Sequence, residues 1–507
     1  WWSMSFLLNN FAPFAVAAVS SVVVWMFGGT RGGLLVPVVP WLFALLIEVL
    51  FCFPQRRPNE TTYEARERVW YALKKDPITW IALGFFVLLL IPFVNNGLCP
   101  VCDVKAIAEG HEMAPPVPVL PFCANRIDHL NVVLWFALAL PSLLVVRHAL
   151  TRHGKRLVLE LIVWNGTALA ALGFLQSALG APGPLWSTAS GTGRAEVGDF
   201  FATFGYPNMA GDYFTTLFGL ALALWRQNLN DLRDAHRTKD ISSAAAPRPR
   251  MFWTKHYFLI PAVIFFYAAL NTLSRAAILL VTLSAVVFFV HSFISFVARK
   301  SKAERVRAGA WTLLGLGIVI YLACLFAPKG LQQEVNTLGT TEVLDRVTGR
   351  GQYHVRVATE IWKDHVLFGC GGWGYIHFCI PKMTPEELKQ MQVVGGINVH
   401  NDHLQFLAEH GLVGFGALVA IVILLLWPVG RAWRLLAREA RFKTGRDAPP
   451  KPVQVFALPA PAFFVLVTVV CTLIHAFGDC PLRSPAVLTL FFVSLAALPG
   501  FLPRENR

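Results

Sequence analysis

The chain reads as an all-α integral membrane protein with about twelve transmembrane helices and one large periplasmic loop domain. Three observations predict this. Apolar residues make up 55% of the 507 positions and mean hydropathy is +0.54, above the range of ordinary soluble domains. Many apolar runs reach about 17–25 residues, the length that carries a helix across a bilayer. Basic residues alternate from one side of those runs to the other, as the positive-inside rule requires.

Spans are expected near 11–28, 33–53, 78–94, 132–147, 157–177, 210–225, 256–273, 276–297, 309–327, 411–427, 456–475 and 484–501. The first lacks the basic n-region and small-residue cleavage site of a removable signal. With the N-terminus inside, the cytoplasmic segments are 54–77, 147–156, 226–255, 298–308, 428–455 and the tail. They hold clusters such as Arg56, Arg57, Arg66, Arg68, Lys74 and Lys75, then Arg147, Arg152, Lys155 and Arg156. Most of the net charge of +14 is thereby cytoplasmic anchoring. No basic-aromatic motif points to nucleic acid.

Four regions follow in chain order. Residues 1–200 carry spans one to five with a Cys-containing outer loop. Residues 201–327 carry spans six to nine, including a Ser-Arg hairpin. Residues 328–410 form the large loop, and 411–507 carry the last three spans. Segments 228–255 and 429–454 are basic, Pro-containing linkers. The large loop predicts a helix near 350–364, a Gly-rich turn at Gly369–Gly374 and a charged stretch at 384–392. Its aromatic and apolar content argues for an ordered, functional loop.

Six cysteines, Cys99, Cys102, Cys123, Cys370, Cys379 and Cys480, fall on the outer side, an oxidising compartment for a bacterial inner-membrane protein. Cys99, Cys102 and Cys123 lack an evident fourth metal ligand, so a disulfide stapling the 95–131 loop is the expectation over a metal or redox site. The pairing is left open.

The polar residues able to carry chemistry sort to the outer face. Asn398-Val-His-Asn-Asp-His-Leu-Gln-Phe-Leu-Ala-Glu-His-Gly-Leu-Val-Gly414 places His400 where the loop runs into a span, a position suited to proton acceptance at a membrane surface. His400 is expected to open a helix, with His403 on the same face and Glu409 on the opposite one. Two histidines three apart suit zinc only with a third ligand, and none is compelling, so no metal is expected. Asn401 adjoins His400. Arg275, in Asn271-Thr-Leu-Ser-Arg-Ala-Ala277, lies at the hairpin between the seventh and eighth spans, where an arginine is costly unless paired, snorkelling or functional. Arg346, Arg350 and Arg356 crowd the start of the large loop. They form a solvated helix face or a set of forks for phosphate oxygens. His475, Asp479 and Arg483 gather at the outer end of the eleventh span. Asn208 and Asp212 precede the sixth, where each is suited to capping a helix.

The segment 400–414 resembles the signature of the O-antigen ligase and polymerase superfamily. The Pro207-Asn-Met-Ala210 segment, the Ser274-Arg275 hairpin, the block from Gly349-Arg350 to Gly372 and the stretch His475–Pro485 are similar to that family in the same order. The similar pieces run from about 200 to 500. Two departures stand out: His354 where a Trp is common, and Val366 where a Pro is usual.

The resemblance implies an inverting, metal-independent glycosyltransferase of the membrane-embedded C type, with no cofactor. Such enzymes move a glycan from an undecaprenyl pyrophosphate carrier to an acceptor hydroxyl on lipid A core, on another glycan or on a protein. The reaction takes place on the periplasmic side of the inner membrane. Carried over by position, the family histidine is His400 as general base, with Arg275 and Arg350 as the catalytic arginines and Arg346 as the alternative to Arg350. Arg346, Arg356, Asn208, Asn401, His475 and Asp479 are expected around the substrate. A lipid-linked sugar transporter is the competing class. It is disfavoured because Glu48 and Glu160 are isolated charges and no inverted repeat is visible.

Overall fold

A computed structural model describes residues 9–30, 32–95, 117, 119–187, 200–239, 255–297, 341–394, 398–442 and 458–503. In chain order the helices are α1 (Phe11–Trp25), α2 (Gly32–Cys52), α3 (Thr62–Lys75), α4 (Pro77–Val94), α5 (Arg126–Leu144), α6 (Arg152–Ala178), α7 (Pro207–Lys239), α8 (Leu259–Asn271) and α9 (Arg275–Val297). They continue as α10 (Thr341–Asp364), α11 (Gly374–Phe378), α12 (Pro385–Val394), α13 (Asp402–Phe442), α14 (Ala460–Gly478) and α15 (Pro485–Ala497). Among the described residues there is no named β-strand; Phe201 and Phe204 form an isolated bridge.

Seven of the described helices are long and apolar enough to cross a bilayer, which marks a multi-pass membrane protein. They are Gly33–Cys52, Pro77–Val94, Arg126–Ala149, Arg152–Ala178, Arg275–Ile294, Asp402–Glu439 and Ala460–Gly478. Shorter apolar helices cover Phe11–Trp25, Leu259–Asn271 and Pro485–Phe501, where three further spans were expected. The 210–225 segment lies inside α7. The expected span at 309–327 lies outside the described residues, so the count of twelve is not reached among them.

Local sequence explains several boundaries. Thr61 and Glu64 form a capping box at the start of α3, and Lys74 and Lys75 sit at its C-terminal end, where cations complement the helix dipole. Asp76 then caps α4, with Pro77 in its first turn. The Asn125 side chain accepts from the backbone N–H groups of Ile127 and Asp128 to start α5.

Two compact units are assembled from non-consecutive pieces of the chain. The first comprises Trp1–Lys155, Gly339–Leu426 and Thr472–Ala496; the second holds Arg156–Leu338, Trp427–Cys471 and Ala497–Arg507.

In the first unit α5 is the most enclosed of the membrane-length helices and packs on α2 and α4. Tyr353, Val357 and Ile361 recur every fourth residue along α10, and that stripe builds a small core with Cys370, Tyr375, Cys379, Met383, Val399 and Ala408. His129 of α5 ties this core to the membrane helices. Its Nε2 contacts the Leu89 carbonyl at 2.7 Å, while Nδ1 accepts from the Gly372 N–H at 2.9 Å. The expected helix at 350–364 begins earlier, at Thr341, and the charged stretch is α12. Cys123 is buried, and Cys370, Cys379 and Cys480 are buried free thiols. Cys99 and Cys102 lie outside the described residues.

In the second unit α8 runs along α7, and α9 packs beside it. A close approach is at Gly211 of α7. A Cβ there would lie 2.4 Å from the Ala277 Cβ, so only glycine lets the start of α7 meet the Ser-Arg hairpin.

Candidate functional site

The first unit brings together the turn before α13, the first turns of α13, the turn after α14, and α10 with the 369–375 segment. His400 sits in the first of these. Its backbone is left-handed, with φ of 53°, a conformation that costs a side-chain-bearing residue on the order of 1 kcal/mol.

Gln405, with no solvent exposure, holds that turn in place. Its Oε1 accepts from the Val399 N–H at 3.0 Å, and its Nε2 donates to Asn398 Oδ1 at 3.3 Å and Glu409 Oε1 at 3.2 Å. Asn401 Oδ1 accepts from the Leu404 N–H at 3.0 Å, which makes Asn401 the N-cap of α13. The helix therefore begins at Asp402, and His400 lies outside it. The expectation that His400 and His403 share a helical face is corrected accordingly. His403 instead turns to the Leu473 carbonyl, 3.0 Å from its Nε2, and to the Phe477 ring.

Asp402 fastens the turn after α14 to this helix start. Its backbone N–H donates to the Asp479 carbonyl at 3.3 Å, and its Oδ2 accepts from the Leu482 N–H at 2.7 Å. As a result Asp479 Oδ1 stands 3.5 Å from His400 Nδ1. The His400 side chain is 41% exposed and the carboxylate is buried. Burial alone would raise the Asp479 carboxyl. The His400 hydrogen bond and charge, the nearby His475 and the Cys480 N–H together draw it below its ordinary value. His475, in the last turn of α14, is buried four residues before Asp479.

His354 flanks the same imidazole, with ring centroids 6.2 Å apart. Burial, followed by the charge of His400, lowers His354 to about 4. Burial likewise raises the Tyr375 hydroxyl. A neutral ring and a protonated phenol thus share the 2.7 Å hydrogen bond between His354 Nδ1 and Tyr375 Oη.

Behind this wall lies Arg483, 1% exposed. Its NH2 donates to Glu409 Oε2 at 2.6 Å, and its Nε lies 3.7 Å from Asp402 Oδ1. The guanidinium stacks over Trp373 at 4.7 Å and Phe406 at 5.6 Å, a favourable setting for a desolvated cation. Glu409 is partnered by Arg483 and by Gln405.

The glycines explain how the loop segment reaches this place. Gly371 N–H donates to the Glu409 carbonyl at 2.9 Å, and Leu412 N–H to the Val366 carbonyl at 2.9 Å. This crossing interrupts α13 at Gly411, whose φ of 63° and ψ of −172° suit glycine alone. A Cβ on Gly411 would stand 2.3 Å from the Leu367 carbonyl carbon, and one on Gly369 would stand 2.3 Å from that of Glu409.

The remaining expected residues are placed as follows. Arg356 donates to Glu360 at 2.9 Å, to Glu387 at 2.7 Å and to the Lys382 carbonyl at 3.2 Å. It braces α10 against the segment leading into α12. Arg346 and Arg350 fall in α10, with side chains outside the described residues. In the second unit, Arg275 is the first residue of α9, half-buried, behind a Ser274 whose Oγ accepts from the Ala277 N–H at 3.3 Å. Asn208 is the second residue of α7 and donates to Tyr206 Oη at 3.0 Å. Since α7 starts at Pro207, neither Asn208 nor Asp212 occupies the capping position.

Gln405, Glu409, Arg483, His354 and Tyr375 are the site members that the sequence reading left unassigned. The one signal it contained was charge. Glu409 and Arg483 are ionisable residues inside otherwise apolar stretches, which calls for a mutual partner.

A family model described as O-antigen ligase matches residues 260–419. No curated protein matches the chain.

Proposed function

We propose that this chain, whose residues 260–419 match a family model described as O-antigen ligase, transfers a glycan from an undecaprenyl-pyrophosphate carrier to an acceptor hydroxyl at the periplasmic face of the bacterial inner membrane. The observation that carries this reading is the half-exposed His400 imidazole, directed by its Nδ1 to the buried Asp479 carboxylate.

In this reading Nδ1–H faces Asp479 and leaves Nε2 to accept the proton of the acceptor hydroxyl. The freed oxygen attacks the anomeric carbon and forms the new glycosidic bond. The bond from that carbon to the pyrophosphate breaks on the opposite face, and its electron pair leaves with the lipid pyrophosphate. Asp479 keeps the ring oriented and stabilises the imidazolium that forms. General-base assistance of this kind contributes on the order of 10²–10⁴-fold.

Arg275 and Arg350, with Arg346 as the alternative to Arg350, neutralise the charge that develops on the leaving group. The placement of Arg275 supports its role. A cation in the first turn of a long helix gains nothing from the dipole, which is positive there, whereas an anion gains from both. Asn208 lies three residues before Gly211, which meets the same hairpin, and His475 borders Asp479, so both are assigned to substrate. Asn401 acts through the cap that ends the His400 turn.

The lipid carrier is supported by an apolar cavity of about 210 Å³ beside His403, lined by Phe406, Phe415, Leu418, Phe491 and Phe492 among others. Such a wall suits an isoprenoid chain. The acceptor is lipid A core, a second lipid-linked glycan or a protein, three variants of one chemistry.

The test is transfer by the purified protein in nanodiscs, supplied with a defined lipid-linked donor and each acceptor class. His400→Ala should abolish product while leaving expression and insertion intact. Undiminished transfer by that variant would remove His400 from the mechanism.

A further inference from the structure

Cys480 has no part in the transfer just described, yet it borders the proposed base. Its Sγ lies 3.3 Å from Asp479 Oδ1, and the same oxygen lies 3.5 Å from His400 Nδ1. The imidazole nitrogen, the carboxylate oxygen and the thiol sulfur are all within 4.8 Å of one another. Four donors around a tetrahedral zinc ion, at bonds of about 2.0–2.3 Å, stand roughly 3.3–3.6 Å apart. The two short separations already match that spacing.

The surroundings also suit a metal. Asp479 and Cys480 are 6% and 1% exposed, held by the turn that follows α14. The Cys480 N–H donates to Asp479 Oδ1 at 2.7 Å, which orients the carboxylate. His400 is 41% exposed, leaving a solvent side for entry and for a water as fourth ligand. One thiol, one imidazole and one carboxylate select a borderline-soft ion over magnesium or calcium, which prefer all-oxygen shells.

We propose that His400, Asp479 and Cys480 form a three-donor site for a thiophilic divalent cation, with Zn²⁺ the best match, and that its occupation withdraws the His400 imidazole from proton transfer. The metal is an inhibitor here. The binding half of this proposal stands on the donor geometry alone; the inhibitory half rests on the transferase reading above.

The experiment uses the full-length protein in nanodiscs, stripped with a chelator and titrated with ZnCl₂ and, separately, CoCl₂. One equivalent of metal should bind per chain, and Co²⁺ should show a sulfur-to-metal charge-transfer band. Cys480→Ser and Cys480→Ala should each weaken binding at least tenfold and abolish the band. In the transfer assay zinc should suppress the wild type reversibly, with chelator restoring it. Both Cys480 variants should retain basal transfer and resist zinc. Equal zinc binding by wild type and both variants, or no binding at all, overturns the site. Cys480-dependent binding together with absent transfer upholds the site and removes the transferase reading. Cys480-dependent binding with zinc-insensitive transfer overturns the inhibitory half.

Discussion

Arg483 donates to Glu409 at 2.6 Å, with both side chains withdrawn from solvent. Glu409 belongs to α13 and Arg483 to the turn after α14, so this ion pair joins the two segments that present His400 and Asp479. Burying a charge pair adds little net stability over an apolar pair of the same shape, but removing one partner strands the other in a dry interior.

Arg483→Met should therefore destabilise the protein by about 3–5 kcal/mol, read as a lowered unfolding midpoint in detergent. Combining it with Glu409→Leu should recover much of the loss. If the two single variants were simply additive in the double variant, the pair would carry no coupling.

Asp479→Asn keeps the shape of the carboxylate but removes its charge and its acceptor role toward His400. Transfer should fall by about 10²-fold or more with little change in the unfolding midpoint. A variant with wild-type kcat would show that His400 does not depend on Asp479.

Arg275→Lys retains the charge and loses the planar fork. Transfer should drop by at least tenfold, because a point charge cannot engage two phosphate oxygens at once. Full activity of the lysine variant in the nanodisc assay would assign Arg275 to snorkelling at the hairpin.

His354 is held neutral by burial, at about 4. A folded-state value below the unfolded value near 6.5 means that the unfolded chain binds the extra proton first. Stability should accordingly fall as pH drops below about 6.5, with the loss on the order of 3 kcal/mol once pH passes 4. His354→Gln can still accept from Tyr375 and cannot titrate. It should flatten the pH dependence of the unfolding midpoint between pH 4 and 6.5, and an unchanged slope would place the titration elsewhere.

Gly411→Ala should lower the yield of folded protein more than Gly416→Ala. At the first, a left-handed crossing, an added Cβ would lie 2.3 Å from the Leu367 backbone, whereas a Cβ at the second meets nothing within 4 Å. Comparable yields for the two alanine variants would mean that the 366–371 crossing is dispensable.

Much of the architecture was legible in the linear chain, because a bilayer imposes one strong rule. Long apolar runs such as 78–94 and 456–475 have few stable alternatives to a helix, so composition and length settle them. The importance of His400 was legible through its polar, motif-bearing neighbourhood. Its conformation was not. A helix-compatible sequence runs straight through Val399–Asp402, and the left-handed turn is held because Gln405 hydrogen-bonds back to Val399 while Asn401 caps the helix at Leu404. The ion pairing of Arg356 was not legible for a related reason: an arginine looks available until Glu387, 31 residues away, arrives beside it.

Apolar periodicity, basic-residue asymmetry and a few motifs are properties of neighbouring residues, and they specify the helices and the resemblance to a family. Whether Asp479 meets His400, whether Arg483 finds Glu409, and whether Cys480 stands near either depends on segments about 70–80 positions apart being folded onto one another. Those partnerships follow from burial. Each ionisable group removed from water must find a counterpart in the interior, and the packing of α13 against the end of α14 determines which one it finds.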